Sequence, residues 1–161
     1  MEKKYVYDYP MPAITTDCVI FRGSFHEDEF DAEVLLIKRK NEPFKDCWAL
    51  PGGYLEPNET VIKCCVREVK EETGINLLDY TKVDKDFNVK IYDAIDRDPR
   101  QRTISIMSIA HVNDSVDAVA GDDAIELAWF RLDDLWGVEL AFDHAMMIED
   151  AVQHRMVSMV M

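Results

Sequence analysis

The spacing of apolar positions along the chain predicts five strands and two helices. Ala13–Phe21 is apolar and β-branched with little charge, and it reads as a strand. Glu33–Lys40 reads as a second, and its unbroken run Val34-Leu35-Leu36-Ile37 fits a strand covered on both faces. The acidic stretch from Gly23 to Asp31 connects the two. Phe87–Tyr92, with Phe87, Val89 and Ile91 alternating, and Thr103–Val112 are two further strands. The loop between them holds Asp96-Arg97-Asp98-Pro99-Arg100-Gln101-Arg102, and Ile125–Arg131 is a last short strand. Over Thr60–Thr73 the period lengthens, placing Ile62, Cys65, Val66 and Val69 on one stripe. It does so again through Ala141, Ala145, Ile148, Val152, Met156 and Met159, an amphipathic terminal helix. Strands interspersed with two helices predict an α/β sandwich around a mixed sheet. No repeat or Ser/Gly-rich linker interrupts residues 1–161, so a single domain is expected.

Composition narrows the partners. The 161 residues are 48% hydrophobic, enough for a sizeable core. Against 18 Lys and Arg stand 32 Asp and Glu, a net charge of −14 that repels phosphate backbones and favours cations. Nucleic acid is therefore not an expected partner. No apolar run approaches the ~20 residues of a membrane span, and no hydrophobic stretch follows the charged N-terminus as a secretory signal requires. The four cysteines, Cys18, Cys47, Cys64 and Cys65, form no CxxC pair. Vicinal Cys64 and Cys65 have the sequence proximity to oxidise, but both read as small, buried, reduced residues of a cytoplasmic protein.

The chemistry concentrates between Gly53 and Ile75. At about 100° per residue, Glu71 and Glu72 flank Glu68 at roughly −60° and +40°. The three carboxylates share one arc of that helix, and the apolar stripe is centred roughly 120° away. Like charges at this spacing repel, and a hard divalent cation between them reverses the sign. Mg²⁺ retains open coordination positions suited to substrate phosphates. Gly74 fits the left-handed residue that ends a helix, and Gly52-Gly53 permits a tight turn before it. Spacing alone leaves two readings open, a metal site or an acidic surface helix.

The full pattern resembles the Nudix hydrolase signature. Gly53, Glu59, Arg67-Glu68-Val69, Glu71-Glu72 and Gly74-Ile75 occupy every fixed position of that box over 23 residues. The resemblance implies a Nudix-type α/β/α sandwich with a catalytic loop-helix-loop and a C-terminal helix. It also implies that Glu68, Glu71 and Glu72 hold Mg²⁺ or Mn²⁺, that Arg67 completes the catalytic set, and that Arg67 and Glu59 brace the loop-helix-loop. The expected reaction is metal-assisted hydrolysis of a pyrophosphate. The proton acceptor is one of the box glutamates or an acid of a later loop, where Asp122, Asp123 and Glu126 are candidates.

Features outside the box narrow the substrate. Three stretches are similar to the ADP-ribose pyrophosphatase branch of the family: Lys38-Arg39-Lys40 through Trp48-Ala49-Leu50-Pro51-Gly52-Gly53, Asp96 to Ser105, and Leu140-Ala141-Phe142-Asp143-His144-Ala145. Arg97, Arg100 and Arg102 share one loop of an acidic protein; either they form an arginine fork suited to a phosphate, or Asp96 and Asp98 neutralise them in a hairpin. Arg39, just before the box, is a fourth candidate contact. His111 and His144 are candidate ligands or bases, although each also reads as an ordinary core or surface histidine. Asp46 stands where the family usually has glycine and is able to adopt the same left-handed turn. Tyr92 lies near the place where dinucleoside polyphosphate hydrolases carry a tyrosine. The leading expectation is hydrolysis of ADP-ribose to AMP and ribose 5-phosphate by a homodimer. The alternatives are another nucleotide (a dinucleoside polyphosphate, an oxidised nucleoside triphosphate or NADH) or a non-catalytic ADP-ribose sensor.

Overall fold

The computed structural model describes residues 7–25, 30–80, 90–121 and 124–160. In chain order the elements are β1 (Ala13–Phe25), β2 (Phe30–Arg39), β3 (Trp48–Ala49), β4 (Gly52–Tyr54), α1 (Val61–Thr73), β5 (Lys90–Tyr92), β6 (Thr103–His111), β7 (Ala124–Arg131) and α2 (His144–Val160). One mixed sheet runs β3-β2-β1-β6-β5, with β4 added to β1 and β7 to β2. β1 and β6 are parallel from Ala13↔Thr103 to Phe21↔His111, and the other pairings are antiparallel. Phe87–Val89 of the expected third strand lie outside the described residues.

Both faces of the sheet are covered, which is why Val34–Ile37 do not alternate. Val19, Phe21, Val34, Leu36, Met107 and Ile109 pack toward Met147, Ile148 and Ala151 of α2. Their sequence neighbours Cys18, Ile20, Leu35 and Ala110 pack toward Cys65 and Val69 of α1. The result is the α/β/α sandwich that the sequence predicts.

The stretch expected to be a plain acidic connection is instead the end of a hairpin. β1 and β2 stay paired through Gly23↔Ala32, Ser24↔Asp31 and Phe25↔Phe30. Gly23, at φ 84°, permits this, since a Cβ there would sit 2.0 Å from the Asp31 carbonyl oxygen. Phe25 then buries its ring edge-on against Phe21 at 5.1 Å. Toward the other end the two strands part. β1 exchanges β2 for β4 at Thr15–Asp17, and β2 exchanges β1 for β3 at Ile37–Lys38. Residues 48–54 fill the split and carry the chain into α1. These two short strands escaped the periodicity because Pro51, Gly52 and Gly53 leave too few side chains to set a period.

α1 begins and ends as its sequence requires. The Thr60 hydroxyl accepts from the Lys63 amide at 3.3 Å, and Gly74, at φ 74°, donates its amide to the Lys70 carbonyl. No helix among the described residues is long and apolar enough to cross a membrane.

Candidate active site

A cavity of about 480 Å³ opens where β1 and β2 part. The β4 loop and the acidic face of α1 form one wall, with Gly52, Gly53, Tyr54, Glu68 and Glu72. The opposite wall comes from three distant segments, contributing Arg39, Arg97, Asp98, Arg100, Phe142 and His144. Thr15 and Asp17 of β1 contribute to the lining.

On the acidic wall Arg67 is the organising group. Its Nε and one terminal nitrogen fork onto the two oxygens of Glu59 at 3.0 and 2.6 Å, and the same nitrogen donates to the Tyr54 carbonyl at 3.2 Å. The other nitrogen donates to Glu68 Oε1 at 2.7 Å and Glu71 Oε2 at 3.2 Å. Glu59 responds with a carboxyl held down at about 2 by the Arg67 bonds. Burial pushes the Glu68 carboxyl up, and the neighbouring Glu71 and Glu59 charges add to this against the pull of Arg67. A Cβ on Gly53 would stand 2.4 Å from the Glu68 carboxyl carbon, so a methyl there would displace that carboxylate. Glu72 Oε2 accepts the Gly52 amide at 2.9 Å.

The three box carboxylates are unequally placed. Glu68 and Glu72 line the cavity, whereas the Glu71 side chain is 60% exposed on the Arg67 side. Among the described residues no group of three acids, cysteines or histidines is gathered closely enough to define a metal site. The donor chemistry nonetheless suits a hard cation, because these groups offer only carboxylate oxygens and the loop keeps space open for them. Of the acids considered as proton acceptors on a later loop, Asp122 and Asp123 lie outside the described residues. Glu126 is in β7 opposite Lys38, 3.7 Å from its ammonium and away from the cavity.

The arginines divide into three kinds. Arg39 and Arg100 face the cavity and share one aromatic plate, their guanidinium carbons 5.0 and 5.6 Å from the Phe142 ring centre. Arg100 also lies over Tyr54 at 5.3 Å and is aimed by Asp98, which accepts from its side chain and its amide. Burial and the Arg100 charge both push the Arg39 pKa down, the mark of two cations held side by side. Arg97, with a side chain only 4% exposed, is already engaged by Asp143 in a two-pronged bond at 2.9 and 2.6 Å. Burial works against its charge, but the Asp143, Asp17 and Asp98 carboxylates outweigh that and raise its pKa. Arg102 does not join them. Its guanidinium donates to the Asp93 and Ala94 carbonyls, closing the loop from outside the cavity.

Asp46 takes the left-handed conformation expected of it, at φ 67°, and Phe44 and Phe142 do the same at 61° and 53°. The rings of those two phenylalanines meet at 4.7 Å. Tyr92 is 5% exposed and lies away from the acidic wall, its hydroxyl donating to Asp150 at 2.6 Å. His111 lies at the end of β6 against the Phe25 ring. All four cysteines are free thiols and buried, and burial pushes Cys64 up to about 12.

Two residues outside the expected site lie at and behind the cavity floor, Asp17 in the lining and Ser105 buried beside it. Ser105 donates its hydroxyl to Asp17, and Asp17 lies 3.9 Å from Arg97 and 3.5 Å from His144. A lone acid inside the apolar strand Ala13–Phe21 was the available signal, since a buried charge needs partners.

A mixed-sheet α/β/α sandwich with a glycine-gated acidic helix facing an arginine wall defines a Nudix-type domain. The chain belongs to the NUDIX domain family, whose model matches residues 11–151. It is 46% identical over 148 residues to the ADP-ribose pyrophosphatase of Methanocaldococcus jannaschii, covering 92% of this chain and 77% of that enzyme. It is also 32% identical to the ADPR responsive transcriptional repressor NtrR of Acinetobacter baylyi, over 89% of this chain and 54% of the repressor. Among solved structures, a bifunctional NMN adenylyltransferase/ADP ribose pyrophosphatase from Francisella tularensis superimposes with a TM-score of 0.76 at 28% identity. The match covers 91% of this chain and 42% of that one. A second structure of that protein, complexed with AMP and a manganese ion, gives 0.73 over 92% of this chain and 43% of that one.

Proposed function

We propose that the protein hydrolyses the pyrophosphate bond of ADP-ribose, giving AMP and ribose 5-phosphate. One observation carries this reading: two guanidiniums, Arg39 and Arg100, are held on a single aromatic plate across a cavity from the box glutamates. Such a pair suits a diphosphate, and the archaeal relative's named activity supplies the nucleotide. The burial of Tyr92 against Asp150 argues against a dinucleoside polyphosphate read by that tyrosine.

Glu68, Glu71 and Glu72 would hold Mg²⁺ or Mn²⁺. A bound ion would supply Lewis-acid chemistry, polarisation of the pyrophosphate and neutralisation of charge developing on its oxygens. Arg39 and Arg100 bind the diphosphate and orient it, Asp98 aims Arg100, and Arg97 fixes the floor beneath. Arg67 occupies one oxygen of Glu68 and leaves the other to hold the ion, and a box carboxylate accepts the proton of the attacking water. Arg67 keeps the Glu68 carboxylate in place. Arg102 acts on the loop rather than on substrate.

The test is turnover of a panel of ADP-ribose, NADH, diadenosine polyphosphates and 8-oxo-dGTP at equal concentration with Mg²⁺. ADP-ribose is expected to give the highest kcat/KM. A faster competitor replaces it as the substrate, and tight ADP-ribose binding without cleavage makes the protein a sensor.

We also infer a single domain over residues 1–161, a cytoplasmic location and a homodimer. Sedimentation equilibrium is expected to return twice the 18.6 kDa chain mass, and thermal unfolding to show one transition.

A further inference from the structure

The turn Leu50-Pro51-Gly52-Gly53 is held from two sides. On one side it serves the box: the Gly52 amide donates to Glu72 Oε2 at 2.9 Å, and Gly53 lies under the Glu68 carboxylate. On the other side it is tied to the start of α2. The Leu50 amide donates to Nδ1 of His144 at 2.9 Å, and both residues are buried. The approach to α2 reinforces this tie. Trp48 donates its amide to the Glu139 carbonyl, and Ala141 returns one to the Trp48 carbonyl.

The chemistry of the ring makes the tie directional. Because Nδ1 accepts from an amide, the imidazole proton resides on Nε2, which faces Asp17 Oδ1 at 3.5 Å. Asp17 is in turn fixed by the Ser105 hydroxyl and stands 3.9 Å from Arg97, which is forked onto Asp143. Burial lowers the His144 pKa and so keeps the ring neutral, with its acceptor lone pair available. A buried backbone amide without an acceptor is costly, so Leu50 follows wherever Nδ1 is placed.

We infer that His144 is a positioning residue of the hydrolytic centre: through Leu50 it sets the turn that holds Glu72 and makes room for Glu68. It acts on the carboxylates by way of the backbone. The inference rests on the metal-hydrolase reading above, and it assigns to α2 a role in ion affinity that the box itself does not contain.

Three variants separate this from a histidine that merely fills the core. His144→Asn places an amide oxygen where Nδ1 stood and preserves the acceptor for Leu50. His144→Gln reaches the Nε2 position and does not, and His144→Ala removes both. Each is read by amide hydrogen exchange at residues 50, 52 and 53, by Mn²⁺ titration followed by electron paramagnetic resonance, and by kcat and KM for ADP-ribose. Gln and Ala are expected to lose amide protection, to weaken Mn²⁺ binding about tenfold or more, and to lower kcat with KM within about twofold. Asn is expected to stay near wild type in all three. Gln with wild-type exchange and Mn²⁺ affinity, or Asn behaving as Ala does, overturns the inference. Should Ala and Gln fail to fold, a folded Asn variant that loses amide protection at the turn or Mn²⁺ affinity overturns the inference. If the wild type takes up no Mn²⁺ and cleaves nothing, the functional reading fails. Exchange at the turn then decides the positioning role alone.

Discussion

At Gly53 one hydrogen atom in place of a methyl group makes the room that the Glu68 carboxylate occupies, with 2.4 Å separating the imagined Cβ from the carboxyl carbon. Gly53→Ala is expected to displace that carboxylate and lower kcat by about 10²-fold, since an ångström of misplacement is enough for that. Circular dichroism and melting should stay close to wild type because Gly53 itself is outside the apolar clusters. An alanine variant with wild-type kcat contradicts the assignment. Across the cavity Arg100 is aimed by Asp98 through both its backbone and its side chain. Arg100→Ala is expected to raise KM for ADP-ribose about tenfold or more, the scale of one charge-assisted hydrogen-bonding group. Asp98→Asn should raise it less, and steady-state kinetics on both variants check the order.

At the scale of elements, α1 is joined to its preceding loop by the Arg67–Glu59 fork rather than by apolar packing alone. The folded pKa of Glu59 is about 2 against an ordinary 4.5, so folding favours its charged form. That contribution is complete above about pH 4.5 and disappears as pH falls toward about 2. Urea midpoints measured through this window should fall more steeply for wild type than for Glu59→Gln, and the two should converge at its acid end. Parallel slopes contradict the brace. Much of this element was readable in the chain: the stripe through Cys65 and Val69, the Thr60 and Gly74 boundaries, and the box itself. The arginine wall was readable only as a list of residues. Sequence shows that Arg97, Arg100 and Arg102 share a loop, but the fold decides that Arg97 turns inward to Asp143, that Arg100 faces the cavity and that Arg102 folds back on the loop's own carbonyls. Asp17 and Ser105 were hidden for a related reason. They lie on β1 and β6, whose parallel register brings polar side chains of two apolar-looking strands to one floor.

Across the whole molecule, stability and chemistry are kept in different places. The apolar clusters on the two sheet faces hold α1 and α2, and Glu68 and Glu72 project from the sandwich into the cavity. Removing divalent cations with EDTA is therefore expected to abolish turnover while moving the melting temperature by no more than about 2 °C. A collapse of the fold on chelation contradicts this separation. The net charge of −14 adds a second reason for the arrangement: an anionic nucleotide approaching an acidic protein needs a local cationic wall, which Arg39 and Arg100 provide.

The most direct measurement is ³¹P nuclear magnetic resonance of ADP-ribose incubated with the protein and Mg²⁺, with EDTA and Glu72→Gln as parallel samples. The account predicts that the diphosphate resonances of the Mg²⁺ sample are replaced by two monoester signals of equal intensity, AMP and ribose 5-phosphate, while both parallel samples remain unchanged. Intact ADP-ribose in the Mg²⁺ sample, or cleavage that proceeds equally in EDTA or with Glu72→Gln, contradicts it.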